Sequence, residues 1–133
     1  MANLIRGLSE NGGVVFCGVD STEIVRKAEQ LHTTSATCSA ALGRLLTGAA
    51  LMGSMLKDDR DRNTLRVAGG GPAGVLIACT DGTGNVKGCI DNPLVELPLK
   101  ENGHLDVGGA VGRDGVLTVI RDNITFMSFL LLI

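Results

Sequence analysis

The residues that could carry metal or redox chemistry are four cysteines, Cys17, Cys38, Cys79 and Cys89. No two of them form a C-x-x-C pair, and neither histidine lies near enough in sequence to complete a zinc knuckle. The start, MANLIRGLSE, has no apolar run typical of a secretory signal, so we expect reduced thiols that pack as small apolar groups. Cys79 and Cys89 are expected on adjacent strands of one hairpin, where a disulfide is the less favoured alternative.

Two histidines and one arginine could take part in acid–base chemistry or anion binding. His32 follows Glu29 and His104 precedes Asp106, but a general base also needs a nucleophile within hydrogen-bond reach, which this spacing does not supply. We interpret His32 as a helix cap or surface residue and His104 as a turn residue. Arg44 is expected to snorkel or to pair with a carboxylate rather than to bind an anion. No catalytic residue is assigned, and we predict that the chain is not an enzyme.

A glycine-rich segment, residues 69–74, matches the pattern G-x-G-x-x-G. This pattern holds a pyrophosphate where a strand joins the N-terminus of a helix. Here residues 75–79 form another apolar run typical of a strand, and Pro72 lacks the N–H that a phosphate would use. We therefore favour a turn between two strands over nucleotide binding, and we expect no cofactor or metal in this chain.

Composition argues against several classes of partner. The 133 residues are enough for one domain, and their formal net charge of -2 gives no electrostatic attraction to nucleic acid. The most apolar helical segment has an uncharged stretch of 12 residues, 45–56, whereas a membrane span needs about 20. We expect neither nucleic acid nor a membrane as a partner.

The elements that must position these residues begin with a long helix over residues 33–56. Arg44 is its only charge, Ser35 or Thr34 can cap its start, and Lys57 lies where a cation favours the C-terminus of a helix. Its apolar positions recur at helical spacing, so it is predicted to be a core element that lies against a sheet. Its three glycines indicate close packing against another backbone. The glycines are Gly43, Gly48 and Gly53.

Short apolar runs on both sides of this helix predict strands. Residues 4–8 and 14–19 flank an Asn-Gly pair typical of a hairpin turn, and Asp20 with Glu23 forms a variant of the capping box before a short helix. The predicted class is α+β, with antiparallel-rich β-sheet layers packed on one long and one short helix. The further strands are 64–67, 75–79 and 86–90, an edge strand or extended loop at 94–99, and a last hairpin of 105–111 and 116–120.

The order of several short strings resembles the N-terminal core of the redox-regulated heat shock chaperone family, the 33 kDa chaperonins. The resemblance covers residues 4–122, about nine-tenths of the chain. The strings are HTTSAT from His32, AALGR from Ala40, MGSMLK from Met52, GP from Gly71, VKG from Val86, NP from Asn92, LDVGGAVG from Leu105 and LTVIRD from Leu117.

The resemblance implies a cytoplasmic holdase that binds unfolding proteins during oxidative stress without ATP and dimerises through this core. In the family, a C-terminal module with C-x-C and C-x-x-C cysteines holds zinc and supplies the redox switch. None of the four cysteines here matches that pattern, so we expect this chain to lack the switch and its zinc ligands. Unfolded clients and a second copy are the expected partners, although the residues that contact clients are not predicted. An inactive folded or dimeric remnant is the alternative, and a small-molecule enzyme is less favoured.

The resemblance ends at Asp122. We therefore expect a chaperone core domain over residues 1–122, incomplete relative to the family, and a divergent apolar tail over residues 123–133. The tail is too short to cross a bilayer and too apolar to stay solvated. We favour burial of the tail, within the chain or against a second copy, over a natural truncated product with an altered reading frame.

Overall fold

The structure, a computed structural model, describes residues 3–122 and 127–132. Strands β1 and β2 form a separate two-stranded antiparallel sheet, and the other five form an antiparallel sheet in the order β5-β4-β3-β6-β7. The predicted α+β class is therefore confirmed. The elements are β1 (Asn3–Leu8), β2 (Val15–Asp20), α1 (Thr22–His32), α2 (Ala36–Gly53), β3 (Arg62–Ala68), β4 (Val75–Asp81), β5 (Val86–Ile90), α3 (Val107–Val111), β6 (Val116–Asp122) and β7 (Met127–Leu132).

Helix α2 supplies the centre of the core. Leu42 and Leu46 on this helix are buried, and each such side chain contributes about 1.5–3 kcal/mol when it is removed from water. The strands meet the helix with alternate residues, as expected for a sheet with one covered face. The long helix packed on a sheet is thus confirmed. The strand residues in this core are Leu65, Leu76, Ala78, Ile90 and Val119.

The two ends of α2 are fixed by different elements. At the start, the Ser35 hydroxyl accepts a hydrogen bond from the Cys38 N–H at 3.2 Å, which confirms Ser35 as the cap. At the other end the helix stops at Gly53, and exposed Lys57 lies beyond its last turn, so the predicted role of Lys57 was wrong. The cation at this end is Arg6 from β1, whose guanidinium donates to the carbonyl of Ser54.

Helix α1 begins differently from the prediction. Its N-cap is Ser21, and Asp20 instead accepts from the N–H and the hydroxyl of Thr22, so the predicted capping box was wrong. The Ser21 hydroxyl makes no bond to its own helix because it lies 2.6 Å from the hydroxyl of Thr47 on α2. A contact between helices therefore takes the place of a local cap. The other end of α1 breaks at Thr33, which has a φ of 51°.

The predicted last hairpin was wrong. Residues 107–111 form the short helix α3, whose N-cap Asp106 accepts from the Gly109 N–H at 3.0 Å. Strand β6 pairs with β3, so residues 112–115 do not join two strands of one hairpin. Two glycines bring this segment against the loop after β3, because a Cβ on Gly71 or Gly112 would overlap the backbone facing it. The predicted strands at 64–67, 75–79 and 86–90 are confirmed within β3, β4 and β5, and residues 94–99 form a loop.

Part of the predicted tail continues the sheet. The backbone of β7 pairs antiparallel with β6, from Met127 opposite Asp122 to Leu132 opposite Leu117. Residues 123–126 and 133 lie outside the described residues, as do the side chains of β7. Burial of the tail therefore stays a prediction.

The glycines of α2 face side chains rather than another backbone, which corrects the expectation drawn from the sequence. A Cβ on Gly43 would lie 2.9 Å from Val25 of α1, and one on Gly53 would overlap the side chain of Thr80. A Cβ on Gly48 would meet nothing within 4 Å. Gly43 and Gly53 therefore allow close contact with neighbouring side chains, whereas Gly48 faces open space.

We expect Gly48→Ala and Gly53→Ala to change stability in opposite directions. Gly48→Ala should raise the free energy of unfolding by about 1 kcal/mol, because alanine favours the interior of a helix and the site is open. Gly53→Ala should lower it by about 1–3 kcal/mol, because Thr80 is buried and cannot yield without strain. Urea unfolding followed by circular dichroism measures both values, and stabilisation by Gly53→Ala would contradict the described contact.

The turn between β4 and β5 gives a prediction about acid stability. The Thr83 hydroxyl donates to Asp81 at 2.5 Å and the Asn85 amide donates at 3.1 Å; these bonds, chiefly the first, lower the pKa of Asp81 from 3.8 to about 2. Because the folded pKa is depressed, the ionised group stabilises the fold above pH 3.8, and this stabilisation is lost as the pH falls towards about 2. The melting temperature of Asp81→Asn should therefore approach that of the parent chain across this range. A difference that does not change with pH would contradict the prediction.

Candidate functional site

The candidate site is the β1–β2 hairpin, which we call the apolar hairpin (residues 3–20). It carries six of the ten large apolar side chains that are exposed in the described part of the chain. Several exposed apolar side chains on the two faces of one hairpin are typical of an interaction site, whereas single exposed apolar side chains are ordinary. The six residues are Leu4, Ile5, Leu8, Val14, Val15 and Phe16.

One face of the apolar hairpin is made of large side chains lying over glycines. In the register of the two strands, Phe16 lies opposite Gly7 and Ile5 lies opposite Gly18. A Cβ on Gly7 would overlap the Phe16 ring, so the ring lies directly over the backbone there. Ile5 and Phe16 remain 65% and 55% exposed. The glycines therefore produce a flat face on which two large apolar side chains are open to a partner.

The other face carries the contact that holds the hairpin to the rest of the chain. Leu4, Arg6 and Leu8 alternate on this face of β1, and Arg6 donates to the carbonyl of Ser54 at the end of α2. Leu8 and Val15 lie opposite each other near the turn and are 62% and 65% exposed. The hairpin is thus anchored near its middle and exposed at its tip.

The turn of the hairpin is built from its own polar groups. The Ser9 N–H donates to the Val14 carbonyl at 2.9 Å, and the Asn11 carboxamide oxygen accepts from the Gly13 N–H at 3.0 Å. Gly12 adopts a φ of 71°, a conformation that glycine reaches without strain. The predicted hairpin is therefore confirmed. A two-stranded sheet is at best marginally stable alone, and a partner that covered the exposed apolar area would stabilise it.

None of the four cysteines lies at the hairpin's apolar tip, and all are free thiols. Cys38 is buried, with its thiol 3.4 Å from the Asn92 carbonyl, but Cys89 is exposed, which corrects the expectation of buried thiols. Cys79 and Cys89 are on adjacent strands as predicted, although Cys79 lies opposite Lys87. Among the described residues, no three metal-binding side chains come together, so the cysteines do not fit a zinc site.

The other residues singled out from the sequence do not form a catalytic group. His104 is an exposed turn residue, and Asp106 caps α3 instead of contacting it. Arg44 is exposed and makes no ion pair with the described residues. Residues 69–74 join β3 to β4, so the turn between strands is confirmed. The described residues therefore show no converging nucleophile, base and oxyanion site.

His32 differs from its prediction. It is half-buried, and its Nε2 lies 2.8 Å from the carbonyl oxygen of Gly88 on β5. It is therefore neither the cap of its own helix nor a free surface residue. Sequence reasoning missed both this contact and the exposure of the apolar hairpin. One sequence signal could have indicated the exposure of the apolar hairpin. Large side chains pair with glycines across its two strands, Phe16 with Gly7 and Ile5 with Gly18.

Comparison with protein families gives a match over nearly the whole chain. A family model described as "Hsp33 protein" matches residues 2–128. The chain is 49% identical over 119 residues to the 33 kDa chaperonin of Clostridium tetani and 45% identical over 121 residues to that of Alkaliphilus metalliredigens. These alignments cover 90% and 91% of this chain, but only 40% and 41% of the relatives. The chain therefore spans about two-fifths of the length of the curated relatives it matches.

A solved structure agrees with the fold. The crystal structure of the 33 kDa chaperonin from Thermotoga maritima superposes with a TM-score of 0.87 at 38% sequence identity. The superposition covers 98% of this chain and 45% of the other. Within the described residues, no helix is both long enough and apolar enough to span a bilayer.

Proposed function

Since this chain belongs to the Hsp33 family, we propose that it is an ATP-independent holdase that binds unfolding proteins through the apolar hairpin. The observation that carries this proposal is the exposure of Ile5, Leu8, Val15 and Phe16 on one two-stranded sheet. Unfolded proteins expose apolar side chains, and the hydrophobic effect drives the two surfaces together without directional contacts. Such a surface binds many sequences, as a holdase must.

The energetics favour weak and reversible binding. Complete burial of a large apolar side chain contributes about 1.5–3 kcal/mol, and those of the hairpin are already partly buried. Association costs about 4–15 kcal/mol in lost freedom, so one hairpin gains little net affinity for one client segment. Contact with several segments of one client, or a homodimer that presents two hairpins, raises the apparent affinity. We include cytoplasmic location and dimerisation in the proposal on the basis of the family.

The cysteines support binding that does not depend on oxidation. Cys17, Cys38, Cys79 and Cys89 match none of the family's zinc-ligand spacings, and of the four only Cys79 and Cys89 are on adjacent strands. Only Cys17 is in the hairpin, where it is half-buried opposite Arg6. No thiol pair in the described residues controls the exposure of the apolar side chains. In this proposal the hairpin therefore binds clients whether the four thiols are reduced or oxidised.

Light scattering of a chemically unfolded client tests the proposal. The parent chain should suppress aggregation equally in reducing and oxidising buffer. The double variant Ile5→Ser and Phe16→Ser should suppress it at about tenfold higher concentration, because two exposed apolar contacts are lost. The control is Leu94→Ser with Leu99→Ser, which removes two side chains of similar exposure from a loop and should change little.

Each other result has a distinct meaning. No suppression by the parent chain would indicate an inactive folded or dimeric remnant. Equal loss in the hairpin variant and the loop control would show that clients bind apolar area anywhere on the surface. Suppression only after oxidation would contradict binding that is independent of oxidation.

A further inference from the structure

A cleft of about 400 Å³ lies between helix α1 and strand β5. Ile24, Ala28 and Leu31 of α1 form one wall, Leu46 of α2 contributes to the lining, and Val86 with its neighbours forms the opposite wall. The lining is apolar on the helix side and offers a strand backbone on the other. This arrangement is separate from the apolar hairpin.

Strand β5 is the edge of the five-stranded sheet. At its two ends, the backbone N–H of Asp91 donates to the Val75 carbonyl at 3.1 Å and the backbone N–H of Asp81 donates to the Asn85 carbonyl at 3.2 Å. Residues 85 and 91 therefore exchange hydrogen bonds with β4, as do the odd-numbered residues between them. In an antiparallel ladder the alternate residues turn their N–H and C=O groups the other way.

Those alternate residues include Val86 and Gly88, whose backbone groups point away from β4. The Gly88 carbonyl is occupied by His32 Nε2 at 2.8 Å. The Val86 N–H and C=O and the Gly88 N–H have no hydrogen-bond partner among the described residues. The edge beside the cleft therefore offers three free backbone groups to an additional strand.

Positive charges lie on both sides of β5. Lys27 of α1 lines the cleft, whereas Lys87 lies opposite Cys79 and so points its side chain to the other face of the sheet. Neither forms an ion pair with the described residues, and the carboxylate at the rim, Glu23, lies 2.6 Å from Arg26 and is already paired. An added strand turns alternate side chains to the two faces, so the apolar cleft and Lys87 together favour a partner that alternates apolar side chains with carboxylates.

We propose that the cleft between α1 and β5 binds an extended acidic–aliphatic peptide as an added strand beside β5. Its backbone pairs with Val86 and Gly88, an aliphatic side chain enters the cleft, and the carboxylates of alternate residues lie on the other face near Lys87. Strand addition of this kind takes affinity from the backbone and selectivity from alternate side chains. The proposal deepens the proposed function and rests on it in one respect, that unfolded clients supply such peptides.

His32 competes with the incoming strand in this arrangement. Its imidazole already occupies the Gly88 carbonyl, so a strand that pairs fully with residue 88 must displace it. Removing the imidazole frees that acceptor without changing the rest of the edge. His32→Ala should therefore bind the peptide more tightly, whereas a cleft that does not add a strand gives no reason for such a gain.

Fluorescence anisotropy with a labelled peptide of about ten residues that alternates Val with Glu tests the proposal on the full chain. The same peptide with Lys in place of Glu should bind about tenfold more weakly, because its cations lie on the same face as Lys87. Val86→Pro removes the N–H that faces the free edge, a position where an edge strand tolerates proline, and should abolish binding. Val86→Thr keeps the N–H and should retain it.

A second readout is independent of the proline variant. Peptide binding should slow hydrogen exchange at the Val86 and Gly88 amides. Lys27→Glu with Lys87→Glu leaves the backbone intact and should reverse the preference towards the Lys peptide. Equal affinity for both peptides, or exchange that does not slow, would overturn the proposal. Protection of these amides that grows with protein concentration alone would overturn it too, because the occupant would then be a second copy.

The outcomes separate this proposal from the holdase function. If the peptide binds as described while the chain does not suppress client aggregation, the strand-addition site stands and the holdase function fails. If aggregation is suppressed equally by the parent chain and Val86→Pro, and the peptide does not bind, the holdase function stands and the site proposed here fails.

Discussion

The close approach of α2 to the five-stranded sheet is the contact on which the rest of the structure depends. It is achieved with small residues on both sides. Ala49 is fully buried on the helix, Gly53 leaves room for Thr80, and a Cβ on Gly88 would lie 2.9 Å from Leu46. Close-packed interiors do not accommodate added atoms without strain, so these positions fix the distance between the helix and the sheet. The other elements then attach to α2: α1 through Ser21 and the apolar hairpin through Arg6.

With so few elements packed around α2, two surfaces have no partner in the described part of the chain. One helix covers one face of β3, β4 and β5, whereas the apolar hairpin contacts that helix through β2 and Arg6 and leaves its tip exposed. Helix α1 lies at the edge of strand β5, yet the Gly88 carbonyl is the one described backbone group of that edge that contacts α1, through His32. The first surface offers apolar side chains and the second offers backbone groups, so they suit different parts of the same unfolded chain.

Local patterns in the sequence correctly predicted the features that depend only on residues close to one another along the chain. The Ser35 cap, the apolar spacing around Leu42 and the runs that form β3, β4 and β5 needed no distant information. The strand predicted at 105–111 was wrong because its small and β-branched residues are compatible with both states, while the Asp106 cap that favours a helix was not used. Arg6 at the end of α2 and His32 at Gly88 could not be predicted, because each joins elements that are about 50 residues apart. The candidate site was missed for a related reason: the apolar residues of β1 and β2 are those of a core strand, and only tertiary packing decides that they stay exposed.

Helix α1 connects the base of the apolar hairpin to strand β5. It begins two residues after β2 of the apolar hairpin, and its last residue, His32, contacts β5. Eleven helical residues span about 16 Å, a distance that about five residues of extended chain can cover. The apolar tip lies at the other end of β2, so in the proposed function a client segment of more than about five residues contacts the tip while a neighbouring stretch lies beside β5. If clients bind as proposed, binding at one surface raises the effective concentration at the other, so two weak contacts joined by a rigid helix would hold a chain that neither would retain alone.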